Sequence, residues 1–340
     1  MSTMRDVASR AGVSAKTVSR VMNEDRYVSE DVRTRVMAAV RELNYVPNSL
    51  ARTFRSGRDA AIGIAVPDIS DSFFSQVAHA VEQAARTRGA AVFVTSLGDN
   101  PAYERPAVEA LLGRQIIGLI LAPVAVDQSY LEPWQDRTAL VFIDRQPSRL
   151  TADSVLEDDF GGARDAVAHL VGHGHRRIAF VGDSHLVPTT ARRLDGYHAA
   201  LRAAGLTADP DLVPPVLSAH RPDFATTVPG LLALPDPPTA MFCSNARSSL
   251  EVLPLLHELG RSDIAFISFG DFPLADTIVP PVTVVDQDPV GLGRFAAKHL
   301  FHRVDEPHRR VTGETVLPVQ LVLRGSCGSD HAADLRLGVG

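Results

Sequence analysis

The sequence predicts a small all-α domain at the amino terminus, followed by a much larger α/β body built in two lobes. Three observations predict this arrangement. The first 58 residues carry eleven lysines and arginines against six acids, a charge of +5, whereas the rest carries −11 within a total of −6. Apolar residues recur with helical spacing in the first 46 residues, and beyond residue 60 apolar strands alternate with helices. A basic head on an acidic body indicates a polyanionic partner at one end only.

Length, composition and cysteine usage restrict the class of protein. The chain has 340 residues, too many for one small core, and 45% of them are apolar while 22% are charged. No apolar run reaches the roughly 18 residues of a membrane helix, and the first residues lack the apolar stretch of a secretory signal. Because Cys243 and Cys327 form no paired motif, we expect reduced thiols in a cytoplasmic protein.

Three short helices are predicted in the head. Thr3 followed by Asp6 is the pattern of a capping box, which opens the first helix, and Gly12 supplies the turn that ends it. A second helix is expected from residue 15 to about residue 22. A third is expected over about 31–43, because apolar residues at every third or fourth position there lie on one helical face.

The second helix presents side chains that suit a DNA groove. Ser14 can cap its amino end, which places the following side chains at the point where such a helix reads base edges. Hydroxyl and amide groups hold phosphates, and Arg20 could donate two hydrogen bonds to one guanine. A three-helix protein-interaction module is the alternative on composition alone. The outward residues are Ala15, Lys16, Thr17, Ser19, Arg20 and Asn23.

A series of short motifs runs through the first 48 residues. They are Asp-Val-Ala at 6–8, Ala-Gly-Val-Ser at 11–14, Thr-Val-Ser-Arg-Val-Met-Asn at 17–23, Val-Ser at 28–29 and Leu-Asn-Tyr-Val-Pro-Asn at 43–48. With this spacing the head resembles the LacI/GalR family of bacterial repressors. The resemblance implies that Ala15 and Lys16 lie where the family selects bases. It implies phosphate contacts by Thr17, Ser19, Asn23, Tyr45 and Asn48. The other predicted DNA contacts are Thr3, Ser14, Arg20, Ala51 and Phe54.

A short hinge helix is predicted over residues 47–58. Asn48 is a candidate N-cap and Gly57 a stop, but a helix this short is marginal alone in water. We therefore expect it to form only on DNA and against its twin from a second subunit. The resemblance implies that paired hinge helices enter the minor groove and kink the duplex with an apolar wedge. That wedge is usually leucine, and Phe54 stands in its place. A flexible linker is the alternative.

The body alternates strands and helices, which predicts parallel α/β sheets. Strands are expected at 62–66, 91–95, 118–121, 139–143, 178–181, 240–243 and 264–268. Helices are expected at about 72–88, 159–171, 191–204, 248–259 and 290–302. The strands fall into two sets, so two lobes are expected. Since ligands bind at the carboxyl ends of such strands, the space between the lobes is the expected ligand site.

The body also resembles, more weakly, the sensor domain of the same family, which is similar to periplasmic sugar-binding proteins. Matching pieces include Asp144-Arg145, the stretch 174–178, Asn245 and Leu317-Pro318-Val319. The resemblance predicts a helix-turn-helix domain at 1–46 and a periplasmic-binding-protein-like domain at 59–325. One lobe is expected at about 59–157 and 289–316, and the other at about 158–286 and 317–325. Residues 326–340 are expected to form a disordered tail.

Several of these positions predict contacts to a small effector. Phe73 and Phe74 would face an apolar or ring surface of the ligand, although packing in the core fits them equally well. Asp144 and Asn245 could hydrogen-bond to hydroxyl groups, and Arg193 could anchor an oxygen. The predicted effector-binding residues are Phe73, Phe74, Asp144, Arg193, His220, Asn245, Asp271 and Gln287.

Two departures from the family pattern bear on the ligand. Ala246 follows Asn245 where the family commonly has aspartate, and Gly270 replaces the first aspartate of an aromatic-Asp-Asp motif that often binds sugar hydroxyls. We therefore expect fewer carboxylates than in a typical sugar sensor. The expected effector is not a standard hexose, or it is held by fewer hydrogen bonds. A stabilisation of several degrees by common hexoses would contradict this expectation.

These features predict a sequence-specific DNA-binding transcription regulator that acts as a repressor. A homodimer would present two heads to a pseudo-palindromic operator on double-stranded DNA. A sugar, nucleoside or related metabolite would control operator affinity, as inducer or as corepressor. No heptad zipper follows the body, which favours a dimer over a zipper-held tetramer.

Two other classes of protein fit the sequence less well. A transport protein would need a secretion signal and no basic head. An enzyme would need a nucleophile, a base or a metal set, so we predict no catalytic residues, cofactor or metal. His169, His173 and His175 are interpreted as structural, since a helix end and a turn direct them apart and no other ligand completes a site.

Overall fold

The computed structural model describes residues 3–22, 25, 27–43, 60–214, 222–307 and 313–328. These residues fall in two compact units that divide between Ala60 and Ala61. Among the described helices, none has the length and apolar character that crossing a bilayer requires.

The head consists of three helices, α1 (Met4–Ala11), α2 (Ala15–Met22) and α3 (Glu30–Glu42). Thr3 caps α1: its hydroxyl accepts the Asp6 amide at 3.3 Å, and the Asp6 carboxylate accepts the Thr3 amide at 2.7 Å. Gly12 ends α1 with a left-handed φ of +66°, a conformation that costs glycine little. The predicted capping box, the glycine turn and all three helices are confirmed.

A small apolar core holds these helices together. One stripe of alanines and valines from the helices faces inward. The buried residues are Val7, Ala8, Ala11, Val18, Val21, Val36 and Ala39. Burying one valine side chain stabilises the fold by about 1.5 kcal/mol or more, so this core fixes the orientation of α2 with few residues.

The body contains two sheets. Its strands are β1 (Ala61–Val66), β2 (Ala91–Ser96), β3 (Gly118–Leu121), β4 (Ala139–Ile143), β5 (Asp153–Glu157), β6 (Ile178–Val181), β7 (Ala240–Cys243), β8 (Ala265–Phe269), β9 (Thr283–Asp286), β10 (Glu314–Leu317) and β11 (Gln320–Val322). The first sheet has the order β10-β5-β4-β3-β1-β2 and is parallel throughout. The second has the order β11-β9-β8-β7-β6, with β11 antiparallel to β9 and the other pairs parallel.

Helices cover both sheets. They are α4 (Ser72–Thr87), α5 (Glu104–Leu112), α6 (Asp159–Gly172), α7 (Pro188–Ala203), α8 (Phe224–Leu232), α9 (Ala246–Glu258) and α10 (Pro289–Asp305). Apolar residues of α4 and α10 share one core with β1, β3 and β4. Apolar residues of α6 and α7 share another with β6, β7 and β8. Each sheet with its helices forms one lobe, and the chain passes between the lobes after β5, after β9 and after β10.

The predicted two-lobed α/β architecture is confirmed, but six elements were missed. Strand β5 has an acid at each end, Asp153 and Glu157, and so does not read as a buried strand, yet both acids are buried. Pro229 interrupts the pattern of α8, and α5 also lies outside the predicted helices. Strands β10 and β11 carry exposed residues and β9 ends in Asp286, so none of the three forms the continuous buried run that marks the equally short β3, β6 and β7.

Candidate functional site

The exposed side of α2 carries the charged residues predicted to meet DNA. Ser14 caps the helix, since its hydroxyl accepts the Thr17 amide at 3.1 Å. Lys16 and Arg20 are one helical turn apart and exposed, so they share a face. The Arg20 side chain is 57% exposed, and its Nε lies 3.7 Å from the Asp25 carboxylate. This face of α2 is therefore polar and basic, and the helix that carries it is capped at its amino terminus.

Other predicted DNA contacts are less exposed or lie outside the described residues. Ala15 is half-buried and packs against the core of the head, while Thr17 and Ser19 are half-buried beside it. The Thr3 hydroxyl takes part in the cap of α1. The hinge at 47–58 and five contact residues fall outside the described part of the chain. Those residues are Asn23, Tyr45, Asn48, Ala51 and Phe54.

A cavity of about 500 Å³ lies between the two lobes of the body. Loops at the carboxyl ends of β1 to β4 line it from one lobe, and loops after β6 and β7 line it from the other. The structure brings six of the predicted effector residues together at this cavity. They are Phe73, Phe74, Asp144, Arg193, Asn245 and Gln287. His220 lies outside the described residues.

Asp271 does not belong to the described lining of the cavity. Its two carboxylate oxygens instead accept hydrogen bonds from the Arg324 guanidinium at 3.1 and 2.6 Å. Gly270 has a left-handed φ of +91°, and a Cβ there would lie 2.9 Å from Oε1 of Gln287. An aspartate at position 270 would therefore be strained and would collide with Gln287, which lines the cavity at this end.

The two adjacent phenylalanines serve both the core and the cavity. Phe73 and Phe74 contact each other edge to face, with ring centroids 5.0 Å apart. Phe74 is buried in the core under the first sheet, and Phe73 packs against that core. Both also line the cavity, so the two readings of these residues, core packing and ligand contact, are compatible.

Four buried charged residues, which we call the ionic floor, are Asp144, Glu157, Asp159 and Arg193. Asp144 and Arg193 line the cavity, Asp159 bonds to Arg193, and Glu157 bonds to Gln287 of the lining. Arg193 is held from three sides. Its Nε donates to Asp159 at 2.7 Å, its Nη1 donates to the carbonyl of Ser244 at 2.6 Å, and its guanidinium lies 3.9 Å from the Phe269 ring centroid. Arg193 is thus fixed by the protein itself before any ligand enters.

Burial shifts the protonation of the floor. It raises the pKa of Asp159 to about 6, although the neighbouring Arg193 acts in the opposite direction. Burial, reinforced by the charges of Asp144 and Asp159, raises the pKa of Glu157 well above its ordinary value. Within the described part of the chain, Oε2 of Glu157 has no hydrogen-bond partner, while Oε1 accepts from Gln287 at 3.4 Å. The buried site of Glu157 therefore favours its protonated form over the carboxylate.

A second group, the charged rim, consists of Asp71, Asp99, Asp183 and Arg247. Nη2 of Arg247 donates to both oxygens of Asp183, at 2.9 and 3.0 Å. Its Nη1 lies 3.8 Å from Asp99, which follows β2 in the opposite lobe. The rim therefore spans the cleft.

Asn245 belongs to the same group through its side-chain amide. Its Nδ2 donates to Asp183 at 2.9 Å, and its Oδ1 caps α9 by accepting the Ser248 amide at 2.7 Å. Both ends of the predicted ligand-binding amide are thus engaged by the protein, and Asn245 positions Asp183 beside Arg247.

Five aspartates line the described part of the cavity, and the expectation of fewer carboxylates than in a typical sugar sensor stays a prediction. The five aspartates are Asp68, Asp71, Asp99, Asp144 and Asp183. Four of them, and all of the charged rim, were missed because they come from separate loops. Their position in the sequence could have identified them as candidate ligand contacts. Four of these residues lie within four positions of a strand's carboxyl end: Asp68, Asp99, Asp183 and Arg247.

Comparison with known proteins gives matches along both units. The family model described as bacterial regulatory proteins, lacI family, matches residues 3–48, and a periplasmic binding protein-like domain matches residues 167–327. The HTH-type transcriptional repressor CytR of Escherichia coli K12 is 31% identical over 335 residues, covering 95% of this chain and 96% of that protein. The ribose operon repressor of the same organism is 33% identical, with 96% and 100% covered.

A solved structure agrees with these matches. The crystal structure of the Lac repressor dimer, bound to operator and the anti-inducer ONPF, is 28% identical to this chain and superposes with a TM-score of 0.77. The match covers 96% of this chain and 99% of that one. The similarity therefore extends through both units.

Proposed function

The chain belongs to the LacI family of bacterial regulatory proteins, and on that premise we propose that it is a sequence-specific DNA-binding transcription repressor controlled by a small-molecule effector. The observation that carries the proposal is the family match over residues 3–48, with α2 of that segment presenting Lys16 and Arg20 on one exposed face. We propose domain boundaries at 1–46, 47–58 and 59–328. Residues 326–328, expected in the tail, belong to the body because Ser326 and Cys327 are buried there.

On DNA, α2 enters the major groove. Lys16 and Arg20 reach base edges, while hydroxyl groups near the capped end, including that of Ser14, contact phosphates. Two subunits related by a two-fold axis read a pseudo-palindromic operator, as the dimeric Lac repressor binds its own operator. The predicted contacts of Asn23, Tyr45, Asn48, Ala51 and Phe54 complete the proposal for the hinge and its surroundings.

In the body, the effector occupies the cavity between the lobes. A ligand that contacts loops of both lobes binds one relative arrangement of those lobes more tightly than another. Because the hinge precedes β1 in the first lobe, such a preference can be passed to the DNA-binding heads. Binding of effector and operator are then linked reciprocally, whether the effector acts as inducer or corepressor.

Selection of binding sites from random duplex DNA, with and without a metabolite pool, tests the proposal directly. We expect a pseudo-palindromic consensus whose affinity falls by roughly 10³-fold or more between 50 and 200 mM salt. We also expect at least one metabolite to change the affinity. Enrichment of no sequence by the intact chain would contradict the DNA-binding proposal, and an affinity indifferent to salt would contradict the phosphate contacts.

We propose no catalytic function for the cavity and place the protein with the DNA, in the cytoplasm. The two curated relatives compared above are both named as repressors, which supports a regulatory rather than an enzymatic role. The matched periplasmic binding protein-like domain supports ligand binding by the second lobe. Turnover of any metabolite by the purified chain would overturn this part of the proposal.

A further inference from the structure

The charges that line the cavity have a consequence for the chemistry of its ligand. Five aspartates face three arginines, Arg145, Arg193 and Arg247, in the described lining. Each arginine already has a carboxylate partner. Arg145 lies 3.0 Å from Asp144, Arg193 lies 2.7 Å from Asp159, and Arg247 lies 2.9 Å from Asp183.

Arg247 is the most exposed of the three arginine side chains, at 24%, against 16% for Arg145 and 5% for Arg193. Arg247 contacts Asp183 through Nη2, and its Nη1 lies 3.8 Å from the carboxylate of Asp99. A guanidinium carries five N–H donors, so donors of Arg247 stay available without breaking its contact to Asp183. The neighbouring Asp71 also acts on Arg247: burial alone would lower the pKa of Arg247, but Asp183, Asp99 and Asp71 together raise it.

We propose that Arg247 is the counter-ion of the charged rim, and that the aspartates around it restrict the cavity to effectors that carry no anionic group. The inference rests on the proposed role of the cavity as the effector site. The charges of the rim determine this property of the ligand independently of DNA binding.

The physical reason is the cost of a second anion at this position. A phosphate or carboxylate that binds both Nη groups of Arg247 competes with Asp183 for Nη2, and Asp183 would then keep only its hydrogen bond from Asn245. The anion would also face Asp71 and Asp99 at short range, and like charges at such distances repel strongly in a partly dehydrated cleft. A hydroxyl or amide oxygen avoids both costs, because it can accept from Nη1 or Nε of Arg247 while Asp183 stays bound.

Asp144 points to the same class of ligand from the ionic floor. Its side chain is only 6% exposed, and Oδ2 forms an ion pair with Nε of Arg145 at 3.0 Å but accepts no hydrogen bond from any described residue. An oxygen of this kind is satisfied by a donor such as a hydroxyl, an amide or an amine, whereas an anion offers it none. The cavity thus presents matched donors and acceptors to an uncharged or cationic polar ligand.

Chemical rescue of the Arg247→Ala variant tests the counter-ion role with no knowledge of the effector. In the full chain we expect the Tm of the body to fall by about 2–4 °C. Millimolar methylguanidinium should recover most of that loss in R247A and leave the wild type unchanged, while urea, a neutral analogue, should recover none. Arg247→Lys should retain a Tm close to that of the wild type. Arg86→Ala, which removes an exposed arginine of α4, is the matched control and should not respond.

Equal Tm values for R247A and wild type, or equal responses of both to methylguanidinium and urea, would overturn the counter-ion role. If R247A does not fold, the double variant R247A/D183N should fold, because it removes both charges of the pair. Failure of the double variant as well would contradict the assignment.

The anion arm uses inorganic phosphate and ribose 5-phosphate at constant ionic strength. We expect neither to stabilise the wild type more than R247A. A larger stabilisation of the wild type would show that Arg247 recruits anions and would overturn the proposal. Because these measurements contain no DNA, a failure of operator binding would leave their outcome untouched, and the two proposals fail separately.

Discussion

The exposed face of α2 and the ionic floor of the cavity both depend on arginine, but they use it in opposite ways. Arg20 is 57% exposed and touches one carboxylate loosely, at 3.7 Å. Arg193 is 5% exposed and is fixed by Asp159, a backbone carbonyl and an aromatic ring. The difference shows that an arginine predicted to bind a partner can keep its hydrogen-bond donors available, as Arg20 does, or use them within the fold, as Arg193 does. The charged rim lies between these extremes.

Arg193→Ala should have the largest effect and should act on stability. Removing one partner of a buried pair leaves the other charge uncompensated, which costs about 3–5 kcal/mol. We expect that loss in the free energy of unfolding of the body, measured by urea titration followed by circular dichroism. The matched control is Arg86→Ala, whose exposed pair with Glu82 on α4 should cost less than about 1 kcal/mol. A loss equal to that of the control would remove the contrast with Arg20.

Glu157→Gln should reveal the raised pKa of Glu157 in the ionic floor. Between the ordinary glutamate pKa of 4.5 and the raised pKa of the folded protein, Glu157 keeps its proton in the folded state and loses it in the unfolded chain. The stability of the wild type therefore falls as pH rises through the window up to the raised pKa. Glutamine has no proton to lose, so the variant should gain on the wild type by about 1.4 kcal/mol per pH unit in that window.

Thermal unfolding from pH 5 to pH 7 measures this difference. Glu109→Gln, at the surface beside Arg105, provides the control and should show no comparable slope. A constant difference between E157Q and wild type across the range would mean that Glu157 is ionised in the folded protein.

Arg20→Ala should act on recognition and leave the fold intact. The loss of a bidentate contact to guanine costs about 1–3 kcal/mol of discrimination between the preferred operator and a mismatched one. We expect no change in Tm, because the contact of Arg20 with Asp25 is exposed and long. Arg10→Ala removes the same charge from α1, where Arg10 pairs with Glu42, and should weaken binding without changing the preferred sequence. Unchanged operator affinity in R20A would refute the proposed reading of α2.

Thr3→Ala should give the smallest effect, confined to the head. It removes the hydroxyl that accepts the Asp6 amide, a cap worth about 1 kcal/mol. Hydrogen exchange of the α1 amides should become roughly five-fold faster, as expected for that free energy at 25 °C. Thr3→Ser keeps the oxygen and should exchange like the wild type. Equal exchange in T3A would show that Asp6 alone maintains the cap.

The three helices of the head and the cap of the first were predicted, because their information is local. Thr3 and Asp6 are three residues apart, Gly12 ends the same helix, and the valines of the core recur at helical spacing. The ionic floor was predicted in part, and the charged rim was missed. Arg193 and Asp144 were identified through a resemblance, but the partner of Arg193, Asp159, is 34 residues away and reads in sequence as an ordinary acid at a helix start.

Local sequence patterns were enough to predict the helices of the head, the first cap and most of the parallel strands and helices of the body, because periodicity and capping depend on neighbours within a few positions. Three features became visible only in the folded protein. Asp153 and Glu157 are buried, Asn245 donates a hydrogen bond to Asp183, and Arg247 lies next to aspartates of both lobes. These facts depend on loops separated by as many as 148 positions in the chain, as between Arg247 and Asp99. Their charges interact across a few ångströms of space, a distance that spacing along the chain does not encode.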